Sequence, residues 1–357
     1  MRMTTDPSPR WAGMVVAKQA NFYQVRLEGA TPATLLCTRR SRLKKLGQRV
    51  MVGDRVQIED PDFTDAQGVI CEILPRRTCL DRPPIANADQ ILLVFAIAQP
   101  SLDPWQLSRF LIQAEATGIA TQICLNKCDL VPTTEQQHWQ ARLQAWGYDP
   151  LVLSVEHQIG LDQLATQLAD RVTLFAGPSG VGKSSLIRTL IPDVEVRVAE
   201  VSGKLQRGRH TTRHVELFEL TTGGLLADSP GFNKPDLVCA AQQLAGYFPE
   251  IRDRLAANPC HFNNCIHHNE PHCGVRGEWE RYEHYLKFLE EAIAAETVRH
   301  QQPDSEARVK VKIKTDGQRT YEPRLESKKY RRTSRRHRHQ TLKDWETELN
   351  REDLPPT

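Results

Sequence analysis

The chain has 357 residues, of which 39% are hydrophobic and 25% charged, a length for two or three domains and a composition that excludes a fibrous or wholly disordered protein. No apolar run approaches the roughly 18–20 residues of a membrane span, and the polar start with Asp6, Pro7 and Pro9 lacks the apolar middle of a secretion signal, so a cytoplasmic monomer with no membrane partner is expected. Net charge is only +3, but residues 297–357 carry 16 Lys+Arg against 10 Asp+Glu, which leaves the rest of the chain at −3.

Short β-branched and aromatic runs at Gly13–Lys18, Phe22–Leu27, Val50–Ile58 and Gly68–Leu74 predict about five strands within residues 1–75. That density fits a small barrel of the OB type, a fold that commonly binds oligonucleotides. The basic stretch Arg39, Arg40, Arg42, Lys44 and Lys45 fits such a role, whereas a plain β spacer would not need it. Pro75–Pro84 reads as a linker.

The pattern then changes. Gln90–Ala98 is a continuous apolar run, as strands buried on both faces show. Further strands at Ala120–Leu125, Pro150–Ser154 and Val172–Ala176 alternate with helices at Gln106–Thr117, Thr134–Trp146 and Leu161–Ala169. This alternation predicts a doubly wound α/β domain over residues 76–235. Residues 236–297 read as helical around a Cys/His cluster, with Trp279, Tyr282, Leu286, Leu289 and Ile293 as a packing stripe. Residues 298–357 read as a basic, disordered tail whose densest part, Lys328–Arg338, has the composition of a nucleic-acid-binding segment.

Four motifs carry chemistry. Gly177-Pro178-Ser179-Gly180-Val181-Gly182-Lys183-Ser184, followed by Ser185, stands between a strand and a helix as a phosphate-binding P-loop requires. Its glycines let backbone N–H groups surround phosphate oxygens, Lys183 meets the β- and γ-phosphates, and the Ser184 hydroxyl is the expected Mg²⁺ ligand. Asn126-Lys127-Cys128-Asp129 ends a strand. Asp129 can accept both donors on one edge of guanine, a pair that adenine lacks. Ser154-Val155-Glu156 ends the next strand, where a backbone N–H can meet the guanine oxygen. Asp228-Ser229-Pro230-Gly231 is expected to reach Mg²⁺ through Asp228 and the γ-phosphate through the Gly231 N–H, with either Thr211 or Thr212 completing the metal shell in the GTP state.

These motifs come in an unusual order. The base-reading motif precedes the P-loop, which marks a circularly permuted GTP-hydrolysing domain. The segment after Asp228–Gly231 then leads directly into the C-terminal helical domain, so the nucleotide state is expected to move that domain. The fourth motif, Cys260-x4-Cys265-x-His267-x5-Cys273, offers three thiolates and an imidazole to a closed, structural zinc site. His261, His268 and His272 are alternative ligands to His267.

Together these residues resemble one family, the circularly permuted RsgA GTPases of small ribosomal subunit biogenesis. The resemblance covers about Trp11–Thr297 and includes Arg82-Pro-Pro-Ile-Ala-Asn-Ala-Asp-Gln90, the Gly208-Arg-His-Thr-Thr212 run and the Asp228-Ser-Pro-Gly-Phe232 run. It implies binding to the 30S subunit and 16S rRNA, a role in late subunit maturation, and GTP hydrolysis stimulated by the ribosome. Phe232 stands where common GTPases place a water-orienting glutamine, and no histidine lies between Phe232 and Phe248. A non-enzymatic assembly module that uses GTP only as a conformational ligand is therefore the competing reading, and an ATP-dependent kinase is a weaker third.

Overall fold

A computed structural model describes residues 10–29, 34–191, 215–228, 239–301, 309–313 and 319–323. Two compact units divide the chain, residues 1–296 and residues 297–357.

The first unit begins with strands β1 (Trp11–Gln19), β2 (Phe22–Leu27), β3 (Thr34–Arg39), β4 (Arg55–Asp62) and β5 (Gln67–Ile73), and helix α1 (Ser41–Lys45). They close into a barrel in the order β1-β2-β3-β5-β4, with β3 and β5 parallel. The period-two pattern explains the closure. Val15, Val25, Leu35, Val56, Ile58 and Ile70 all point inward and are fully buried. The expected strand over Val50–Ile58 starts only at Arg55, because residues before it turn around Asp54. That buried carboxylate accepts from the Met51 N–H at 2.7 Å and from Arg76 Nε at 2.7 Å.

The expected linker Pro75–Pro84 is instead a structured fastener. Strands β6 (Cys79–Asp81) and β7 (Pro84–Ala86) form a hairpin, Val52 bridges Ile85, and Asn87 Nδ2 donates to the Gly53 carbonyl at 2.9 Å. Prolines here flank the paired residues rather than break them.

The sheet that follows is built from β8 (Gln90–Ala96), β9 (Ala120–Asn126), β10 (Leu151–Val152), β11 (Val172–Ala176), β12 (Leu217–Glu219) and β13 (Leu225–Asp228). Its order is β10-β9-β8-β11-β13-β12, parallel except for β12. Every residue of β8 is buried. Ile91, Leu93 and Phe95 join the core on one face, and Leu92, Val94 and Ala96 the core on the other. Helices α2 (Pro104–Glu115) and α3 (Thr133–Ala145) cover the first face, α4 (Leu161–Leu168) and α5 (Lys183–Leu190) the second. Asp103 caps α2 by accepting from the Trp105 N–H at 2.9 Å, with Pro104 at the first helical position.

Helices α6 (Ala241–Leu244), α7 (Pro249–Ala257) and α8 (Tyr282–Gln301) follow. The face of α8 that is buried carries Arg281 just before it, then His284, Tyr285, Phe288, Leu289 and Ala292. The expected stripe is therefore rotated: Leu289 is buried, Tyr282 and Leu286 are half-buried, and Ile293 is exposed. In the second unit, expected to be disordered, β14 (Val309–Ile313) pairs antiparallel with β15 (Arg319–Pro323). Lys328–Arg338 lies outside the described residues.

Candidate nucleotide site and metal centre

Strands β9, β11 and β13 run parallel, so their C-terminal ends open on one edge of the sheet, the place where open α/β sheets bind ligands. Each predicted motif leaves from that edge. Asn126 ends β9, the P-loop follows β11, and Asp228 ends β13 opposite Phe175 of β11. Thr211, Thr212 and Gly231 lie outside the described residues.

The P-loop is shaped by its glycines. Gly177 has φ +140°, and a Cβ there would stand 2.1 Å from the Val94 carbonyl oxygen. Gly182 has φ +96° and opens α5, and a Cβ there would stand 2.4 Å from Asn126 Nδ2. Only glycine meets both demands without strain. Val181 is buried, Ser179, Gly180 and Ser185 are exposed, and Pro178 is buried behind the loop. Lys183 Nζ lies within the loop, donating to the Gly177 carbonyl at 2.8 Å and to the Pro178 carbonyl at 2.6 Å. Ser184 stands beside it at the first turn of α5.

The base-reading motif is tied to this loop. Asn126 is buried, and its Nδ2 donates to the Val181 carbonyl at 2.8 Å while its Oδ1 accepts from the Val155 N–H at 3.4 Å. One side chain thus joins all three loops. Lys127 takes the left-handed conformation and donates to the Gly180 carbonyl at 2.8 Å and to the Gln99 carbonyl. Cys128 N–H donates to the Leu153 carbonyl at 3.2 Å. Asp129 accepts a hydrogen bond from the buried Ser154 hydroxyl, which accepts in turn from the His157 N–H at 3.1 Å. The sequence singled out Ser154 for its place in the loop, not for holding Asp129. The role of Gln99 left no signal.

Cys260, Cys265, His267 and Cys273 converge with their ligating atoms within 4.8 Å of one another. His267 Nδ1 lies 3.4 Å from each of the three sulfurs, and Cys260 Sγ lies 3.8 Å from Cys273 Sγ. A tetrahedral zinc with bonds of about 2.3 Å to sulfur and about 2.0 Å to nitrogen puts its sulfurs about 3.8 Å apart and sulfur about 3.5 Å from nitrogen. The four residues fit zinc, and His267 is the imidazole among the candidates that joins them. Burial lowers the His267 pKa and so favours the neutral, ligating ring. Tyr282 and Tyr285 hold the loop by donating to the His267 carbonyl at 2.9 Å and the Ile266 carbonyl at 2.6 Å.

This metal domain is clamped to α2 and α3. Arg109 forms a two-bond pair with Glu291, both at 2.8 Å, and Trp146 Nε1 donates to Glu280 at 2.9 Å. Ser108 Oγ meets His284 Nδ1 at 2.7 Å under Trp105, whose ring lies 3.9 Å from the imidazole. Arg281, fully buried, places its guanidinium 4.8 Å from the Trp146 ring and 4.5 Å from the Phe248 ring, with Glu250 at 3.5 Å.

On the barrel, the predicted basic stretch divides. Arg40 is paired with Glu59, whereas Lys18, Arg39 and Arg49 gather without a carboxylate partner among the described residues. Lys18 has a lowered pKa, chiefly through burial and then through Arg49 and Arg39.

Residues 73–238 match a family described as RsgA GTPase. The small ribosomal subunit biogenesis GTPase RsgA of Trichormus variabilis is 60% identical, over 93% of this chain and 96% of that protein. The protein of that name from Microcystis aeruginosa is 58% identical over 94% of each chain. Among solved structures, YjeQ from Thermotoga maritima aligns with a TM-score of 0.69 at 29% identity, over 80% of this chain and 99% of that one. YloQ, described as a circularly permuted GTPase, aligns with a TM-score of 0.67 at 32% identity, over 83% and 97%. With its permuted motifs gathered on one sheet edge between a closed barrel and a Cys/His centre, this chain belongs to the RsgA GTPase family and is a GTP hydrolase.

Proposed function

We propose that this chain binds GTP at the β9–β11–β13 edge and uses its hydrolysis during late maturation of the 30S ribosomal subunit, acting as a monomer that contacts 16S rRNA. The observation that carries the reading is the Asn126 side chain, which joins the base-reading loop to the P-loop through Val181. Asp129 would take the guanine N–H donors. The loop Gly177–Gly182 would surround the phosphates, and Lys183 would move from the Gly177 and Pro178 carbonyls to the β- and γ-phosphates. Ser184, Asp228 and one of Thr211 and Thr212 would hold Mg²⁺, and the Gly231 N–H would meet the γ-phosphate. Bound Mg²⁺ would neutralise charge on the β- and γ-oxygens. Cys260, Cys265, His267 and Cys273 would hold one structural zinc. The unpaired Lys18, Arg39 and Arg49 support an rRNA contact on the barrel.

The test is GTP turnover by the pure protein alone, with 30S subunits and with 50S subunits. Stimulation by 30S alone is the expected result. Equal rates in all three would remove the small subunit as partner.

A further inference from the structure

We propose that the barrel helps position the stretch carrying Thr211 and Thr212, by bracing the outer strand of the nucleotide sheet that follows it. The inference rests on the reading of those threonines as Mg²⁺ and γ-phosphate sensors.

Glu216 stands four residues after Thr212, immediately before β12. Strand β12 is the edge of the sheet, bonded to β13 on one side only. An edge strand of three residues has few bonds of its own to fix it. The barrel supplies the rest. Ala17 of β1 bridges Glu216 in antiparallel fashion, which extends the sheet by one rung. Arg26 of β2 forms an ion pair with Glu219. Met14 and Val16 pack against the core that includes Val215 and Leu217.

The β1 backbone is built for this contact. Its pairing with β2 slips between Val15 and Ala17, so a bulge re-aims the strand one residue before it reaches Glu216. Elsewhere the barrel is held to the same domain by the β6–β7 hairpin, through Val52–Ile85 and Asn87–Gly53. The brace on β12 is therefore a second, separate attachment, and it lies at the stem of the threonine stretch.

A γ-phosphate with its Mg²⁺ orders such a threonine, whereas GDP does not engage it. A brace at the stem thus favours GTP over GDP. Arg26 is a positioning residue here, and its effect should appear in that preference. In Arg26→Glu, which faces Glu219 with a like charge, affinity for a non-hydrolysable GTP analogue with Mg²⁺ should fall about three- to fivefold, the scale of a half-exposed ion pair. GDP affinity should hold. The exchanged pair Arg26→Glu with Glu219→Arg should restore the analogue. Equal loss of both nucleotides, or no change in either, would overturn the proposal. Thr211→Ala and Thr212→Ala serve as the reference. If neither alters the preference for GTP, the threonine reading itself fails. If one does and Arg26→Glu does not, the brace alone fails.

Discussion

Replacing Arg281 by methionine isolates the strongest contact between the nucleotide and metal domains. The arginine is fully buried, with one ring face on each side and Glu250 at 3.5 Å. Methionine keeps much of the apolar stem but removes the charge. Each ring contact contributes about 0.5–2 kcal/mol when desolvated. The larger effect falls on Glu250, because removing one partner of a buried ion pair costs about 3–5 kcal/mol. Burial already raises the Glu250 pKa, and Arg281 opposes that rise. Without Arg281 the folded-state pKa of the carboxyl climbs further above its unfolded value. The destabilisation should therefore be smallest at acid pH and grow as pH rises through that raised pKa. Urea unfolding followed by tryptophan fluorescence at several pH values reads this directly, since Trp146 lies against the guanidinium. The double variant Arg281→Met with Glu250→Gln should recover most of the loss. A single-variant cost under about 1 kcal/mol, or a double variant no better than the single, would refute the argument.

Four other outcomes are expected. His284, pushed down to about 4 chiefly by burial and then by Arg281, is folded as the neutral ring, so stability present above about pH 6.5 should fall as pH drops toward 4, by on the order of 2 kcal/mol, and His284→Asn should flatten that slope in thermal melts. Cys265→Ser should lower bound zinc well below one per chain by elemental analysis and reduce the thermal midpoint. Asp129→Asn should shift preference from guanine to xanthine nucleotides by at least about tenfold in competition binding, since the amide presents a donor to the base. Lys183→Ala should lose nucleotide binding or hydrolysis while zinc content holds, and joint loss of both would mean unfolding instead.

The site was legible where chemistry is local in sequence. Asn126–Asp129, Gly177–Ser184 and Cys260–Cys273 each keep their partners within a short run, and backbone geometry does the rest. What failed to show was long-range. Arg281 looks like a solvated charge until Trp146 and Phe248 close around it. The α8 face was misjudged because Arg281 and His284 occupy positions that a hydrophobicity pattern leaves to solvent. Strand β12 has three residues, too few for alternation to declare itself, and its meaning comes from Ala17 and Arg26 two domains of sequence away. Pro75–Pro84 was read through its prolines, whereas pairing of Leu80 with Ile85 decides it. The expected motion of the metal domain with nucleotide meets the broad clamp on α2 and α3, which favours its travelling with those helices as one body.

The central place of β8 has a consequence for how the chain emerges during synthesis. It is the first strand of its sheet to be made and sits between β9, which follows soon after, and β11, which begins some 75 residues later. The base-reading half can therefore pair while still lacking the phosphate-binding half. Until Val172–Leu190 has left the ribosome, one flank of β8 stays uncovered, and the nascent chain cannot hold a nucleotide tightly. In the unpermuted order the phosphate loop comes first. Here guanine recognition is built first and nucleotide capture last, so commitment to the nucleotide waits until most of the domain has been made.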